Sequence, residues 1–126
     1  MNPFWLIRIP FAVTFLGHGA GKLLMPAASA EMLGLPLAVS VLVGIAEVLA
    51  GFGAVVGGVE RAPYHTLVDR LAGLAAAPVL LGAVALVHWP RWSFVATESH
   101  PMGGMEFQVL LLGVALYLLS GRAARA

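Results

Sequence analysis

LAVSVLVGIAEVLAGFGAVV, residues 37–56, decides how this chain is read. Its twenty residues include a single ionisable side chain, Glu47. At 1.5 Å per residue, a helix of about 20 residues crosses the roughly 30 Å hydrocarbon core of a bilayer. Ser40, Gly44, Glu47, Gly51, Ala54 and Gly58 follow one another at helical spacing, so one face is small everywhere except at the carboxylate. Such a seam lets a neighbouring helix approach closely. A bare carboxylate at mid-span costs about 2.5–3.5 kcal/mol on insertion scales, so Glu47 is expected to be protonated, paired or wetted.

The rest of the chain continues in kind. Of 126 residues, 60% are hydrophobic and 10% charged, and the mean hydropathy is +0.94. Soluble domains carry about 25% charged residues. Too little polar surface exists to coat a water-soluble globule, and an integral membrane protein is the expected class. A net charge of +1 offers no basic field for nucleic acid. Without cysteine, the chain cannot itself run dithiol chemistry, use a thiolate nucleophile or hold an iron–sulfur cluster by thiolates, and its redox compartment goes unmarked.

Working outward from 37–56, three further apolar stretches are expected as helices, over 4–24, 71–89 and 105–120. Segments 25–36, 57–70 and 90–104 are polar, marked by proline and glycine, and expected as connections. The expected fold is therefore all-α: one domain over 1–126, an integral membrane four-helix bundle running up-down-up-down. Pro10 and Pro78 lie inside helices and should bend them unless neighbours satisfy the freed carbonyls. AASA at 27–30 resembles a signal-peptide cleavage site, but His18 and Lys22 interrupt the apolar run that should precede it. Arg8, Arg61, Arg70, Arg122 and Arg125 fall on one side of this layout and Lys22 and Arg91 on the other. Both termini are accordingly expected in the cytoplasm, in an inner (plasma) membrane crossed several times. Trp5, Tyr64 and Tyr117 would mark the inner interface, and Trp89, Trp92 and Phe94 the outer one.

Ionisable residues within the apolar stretches are the functional candidates. In the first helix Arg8, Phe11, Phe15, His18 and Lys22 form one stripe, which should turn inward. Arg8 and Lys22 could alternatively reach the water at either end. GHGAGKLL, 17–24, is not a phosphate loop: Leu16 and Leu23 stand where a glycine and a hydroxyl are required. Midpoint alignment of the first two spans sets Glu47 near Thr14 and within reach of Arg8, so an Arg8–Glu47 pair is expected, serving helix register or a ligand or proton site. His88 ends the third helix and Glu106 opens the fourth; a His88–Glu106 pair would tune the histidine for proton transfer, whereas Glu106 alone suits a helix N-terminus. His18, Lys22, His88, Glu98, His100 and Glu106 gather toward the outer face, where the 90–104 loop reads as an interfacial cap or re-entrant piece. No pair of histidines or carboxylates has metal-ligand spacing, so no metal site is expected, and two histidines in separate helices are poor evidence for haem. A histidine toward the outer end of helices 1 and 3, and a glutamate in helices 2 and 4, hint at an internal repeat.

LIRIPFAVTFLGHGAGKLL, GIAEVLAGFGAVVGGVERAP and VHWPRWSFVATESHPMGGMEF, taken in order, resemble the DoxX family of small four-helix membrane proteins. The matching positions are Arg8, then Gly19 and Gly21 with Lys22, then Gly44 with Glu47, then His88, then Gly103 and Gly104 with Glu106. The family takes its name from a membrane subunit of a thiosulfate:quinone oxidoreductase, so the resemblance implies a redox-associated membrane subunit. Quinone is the cofactor that suits such a chain, being soluble in the bilayer. Arg8, His18 and Lys22 would then hold it, and Glu47, His88 and Glu106 would move protons. Electrons would come from a substrate or from a periplasmic or membrane redox partner. Two other classes stay open: a non-catalytic scaffold or binding protein, whose small-residue seams pack helices or partners (a homo-oligomer among them) and whose outer polar cap docks a periplasmic protein, and a small-molecule carrier.

Overall fold

The computed structural model describes residues 3–59 and 63–123. Arg61 and Arg125, two of the charges used for orientation, lie outside them. The described residues are all-helical, with no strand: α1 (Trp5–Leu24), α2 (Pro26–Leu33), α3 (Leu37–Val56), α4 (His65–Ala83) and α5 (Glu106–Leu119). A π-helical turn, Val84–His88, prolongs α4.

The α3 bounds are those expected, and those of α1 and α5 differ by a residue at each affected end. Two expectations need correction. Segment 25–36 is not simply a connection, because it contains α2. Pro26, whose missing N–H costs nothing in a first turn, starts that helix. Gly34, at φ 63°, ends it, with Leu35 N–H returning to the Ala30 carbonyl at 2.9 Å. In addition, the third long helix starts at His65 rather than Leu71. The apparent loop residues Asp69 and Arg70 are helical, and Asp69 is fully buried.

Consecutive long helices pack as antiparallel neighbours: α1 on α3, α3 on α4 and α4 on α5, with α2 against the α1–α3 pair. Close approach depends on missing side chains. A Cβ at Gly19 would strike the Gly44 carbonyl and Val48, and one at Gly51 would strike Leu16 and the Ala12 carbonyl. On the next interface Gly53 sits against Ala72, and on the last Gly73 meets the backbone of Ala115 and Leu119. The core between these seams is formed by Phe11 and Phe15, stacked at 4.5 Å, with Ala50, Ala76, Leu111 and Leu118. α1 and α5 meet at the end where Phe4 and Tyr117 lie 5.0 Å apart.

Two helical segments, Leu37–Val56 and His65–His88, are long and apolar enough to cross a membrane, and only 33% of each is buried inside the molecule. Many other apolar side chains are exposed, among them Leu42, Leu49 and Phe52 on α3 and Leu71, Leu74 and Leu81 on α4. α1 is as long as α3 but carries Arg8, His18 and Lys22. α5 has 14 residues, about 21 Å of helix at 1.5 Å per residue.

Candidate functional site

The α1 stripe does face inward at Arg8, Phe11 and Phe15, but its arginine does not meet Glu47. Arg8 Nη1 and Nη2 donate to the two carboxylate oxygens of Asp69, each at 2.6 Å, and Nη1 also donates to the Ala54 carbonyl at 2.8 Å. The two side chains are 3% and 0% exposed. The Phe4 ring lies 5.0 Å from the guanidinium carbon, and Gly57 leaves the space that the Asp69 carboxylate fills. This fork joins α1, α3 and α4 at one end of the molecule.

Glu47 pairs instead with Lys22, whose ammonium lies 3.0 and 2.9 Å from its two oxygens. Register is the reason. Gly19 faces Gly44 and Val48, Gly51 faces Ala12 and Leu16, and Gly58 faces Trp5 and Arg8. Glu47 is therefore level with the His18–Lys22 turn, about one helical turn from the Thr14 level that midpoint alignment expects. The small residues set the slide of α1 along α3, and that slide moves Arg8 beyond the reach of Glu47.

A second correction concerns His88. No bond joins it to Glu106. Its Nδ1 lies 2.8 Å from the Gly103 carbonyl, while Glu106 occupies the first turn of α5, where the helix dipole favours a carboxylate. The 89–105 segment folds back over the end of α4. Met105 N–H reaches the Arg91 carbonyl at 2.8 Å, and His100 Nε2 reaches the Trp89 carbonyl at 3.0 Å. Gly103, at φ 83°, packs so tightly on the Phe94 carbonyl that a side chain has no room. Trp89, Trp92 and Phe94 are exposed on this cap, as is Glu98.

Between the Lys22–Glu47 pair and the cap lies a cavity of about 560 Å³. Its walls are mainly apolar, with Phe15, Val43, Leu80, Leu86, Phe107 and Leu111 among them. The polar lining consists of Thr14, His18, Lys22, Glu47, His88 and Gln108. The Thr14 hydroxyl is already used, donating to the Pro10 carbonyl at 2.8 Å.

Of the six residues singled out from sequence, the cavity collects four: His18, Lys22, Glu47 and His88. Arg8 and Glu106 are not among its lining residues. Two residues went unnoticed. Asp69 precedes Gly73, Ala76 and Leu80 at helical spacing, so the buried stripe of α4 could have been extended back to it. Gln108 precedes the buried stripe of Leu111, Ala115 and Leu118 in the same way, and its Oε1 is buried with no partner. Among the described residues no three His, Asp or Glu side chains are grouped as metal ligands. The chain matches no protein-family model, no curated protein and no solved structure in comparisons with each.

Proposed function

We propose that this chain is a four-helix integral membrane protein of DoxX type that binds a quinone-class molecule between its helices, as a subunit associated with redox chemistry. The observation that carries the binding proposal is the cavity: about 560 Å³ of mainly apolar space with a few convergent polar groups. Sites for small amphipathic molecules have this size and composition.

Several features support membrane insertion. The two long apolar segments bury only a third of their residues, whereas the core helix of a soluble protein buries most of them. Exposed Leu, Ile and Val clothe α1, α3, α4 and α5, a surface suited to lipid tails. Tyr64 and Tyr117 mark one end and Trp89 and Trp92 the other, as aromatic belts do. Arg70 and Gly121 are neighbours, so Arg70 and Arg122 share the Tyr117 end, which agrees with cytoplasmic termini. α5 is short for a span, and local thinning of the bilayer would accommodate it.

Within such a site the lysine ammonium can donate to a ligand oxygen, because its bonds to Glu47 leave a third N–H. Glu47 neutralises that charge, and His88 and His18 can exchange protons at the cavity wall. Quinone would supply the electron chemistry. Arg8 is given a structural role, because three of its five N–H donors hold Asp69 and Ala54 and it does not line the cavity.

The test is saturable binding of a short-chain benzoquinone or naphthoquinone to the purified protein, measured by equilibrium dialysis. A Gly82→Leu variant serves as control: Gly82 lines the cavity, and a Cβ there meets no atom within 4 Å. Binding that the leucine abolishes supports the proposal. Absent binding, or binding indifferent to the leucine, would leave the scaffold class in its place.

A further inference from the structure

His88 is the last residue of the π-helical turn, and its ring lines the cavity. Its Nδ1 lies 2.8 Å from the Gly103 carbonyl oxygen. A carbonyl only accepts, so Nδ1 carries the proton, and in the neutral ring Nε2 is left as a bare acceptor. No residue of the described chain bonds to Nε2. Nor is Nε2 sealed away. The buried side-chain nitrogens and oxygens without partners are Ser40 Oγ, Arg91 Nε and Gln108 Oε1. Nε2 therefore keeps some access, and His88 is among the residues that line the cavity.

The cap makes this arrangement rigid. Gly103 needs a positive φ and stands where a Cβ would collide with the Phe94 carbonyl at 2.5 Å, so its own carbonyl is held in place. Gly103 thus acts as a positioning residue, with its main-chain oxygen selecting the tautomer of a cavity histidine. An apolar-walled site presenting a fixed acceptor is satisfied by a ligand that brings a donor. A quinone ring has only acceptor oxygens at its carbonyls, whereas the corresponding hydroquinone has O–H groups.

We propose that the cavity takes a hydroxylated ring, a phenol or hydroquinone, whose O–H donates to Nε2 of His88, so that the reduced form of the quinone class is preferred. This rests on the quinone-class site proposed above and narrows it. The test compares four matched probes under anaerobic conditions: a short-chain hydroquinone, its monomethyl ether, its dimethyl ether and the quinone. A net hydrogen bond of about 0.5–1.5 kcal/mol corresponds to roughly a 2- to 12-fold preference for the hydroquinone over its dimethyl ether. The preference should vanish in His88→Phe while a weaker, indiscriminate affinity persists. Imidazole nitrogen NMR of the ligand-free protein gives a readout independent of any variant, with His88 expected as the Nδ1-protonated tautomer. Equal binding of hydroquinone, dimethyl ether and quinone, or an Nε2-protonated tautomer, overturns the inference and leaves the quinone-class site standing. Failure of all four probes to bind overturns both.

Discussion

Replacing Asp69 with alanine should be among the most damaging single changes in this protein. Asp69 is 0% exposed and accepts two N–H bonds of 2.6 Å from Arg8. Hydrogen bonds to charged groups contribute about 1.5–3 kcal/mol each, so the loss of two sets a scale of roughly 3–6 kcal/mol. The guanidinium left behind keeps its 2.8 Å bond to the Ala54 carbonyl and its place over the Phe4 ring, which offsets part of that loss. It cannot escape easily, because its side chain is 3% exposed. An expected cost of about 3–5 kcal/mol follows, matching the usual result of breaking a buried pair from one side. Arg8→Met should cost a similar amount by stranding the carboxylate. The double change Arg8→Met with Asp69→Leu removes both charges and should cost less than either single change. Unfolding free energies in detergent micelles, combined in a double-mutant cycle, measure all three terms. An Asp69→Ala cost below about 1 kcal/mol, or a double variant less stable than both singles, would refute the assignment of this fork as the clamp between α1 and α4.

Four further single changes, one of them with an added second change, probe other parts of the structure by the same unfolding assay. Gly73→Ala places a Cβ against the backbone of Ala115 and Leu119, which cannot rotate aside, and should cost about 1–3 kcal/mol. Gly21→Ala, with nothing within 4 Å, should gain up to about 1 kcal/mol; equal effects at the two sites would refute the close α4–α5 approach. Gln108→Leu removes a buried, unpaired Oε1 at nearly constant volume, so stability should stay level or rise by about 1 kcal/mol, and a clear loss would reveal a partner for that oxygen. Lys22→Met should destabilise by about 1–3 kcal/mol, and adding Glu47→Gln should recover most of it; no recovery would show that the two groups are not coupled.

What was legible in the sequence follows from how each feature is encoded. α3 could be bounded because its apolar run is interrupted only by Glu47. The start of α4 is hidden because Asp69 and Arg70 give its first turns the polarity of a loop. Asp69 lies inside only because Arg8, sixty-one positions earlier, neutralises it. α2 had both of its local signals, Pro26 and Gly34, but its eight residues sat in a segment otherwise read as a connection. The ionisable residues that mattered were visible one by one. Their pairing was not, because it depends on how far α1 slides along α3, and that distance is set by which glycine meets which side chain. A shift of about one turn, roughly 5.4 Å, exchanges one salt bridge for another.

That slide separates the charges into two environments, and the contrast bears on function. The Arg8–Asp69 fork spends its short bonds internally and lies outside the cavity. A ligand could use it only by breaking it, which ties it to holding α1, α3 and α4 together. The Lys22–Glu47 pair is built differently: the lysine side chain is 16% exposed, both partners line the cavity, and the ammonium keeps a donor that Glu47 does not occupy. A pair needed only for packing gains nothing from such an opening, since access to water weakens it. The opening sits on the same cavity as His88, whose free nitrogen is an acceptor fixed from behind by the cap. Donor and acceptor thus face a shared apolar space at the end of the molecule away from the sealed fork. One salt bridge closes the structure, and the other leaves a charge available inside it.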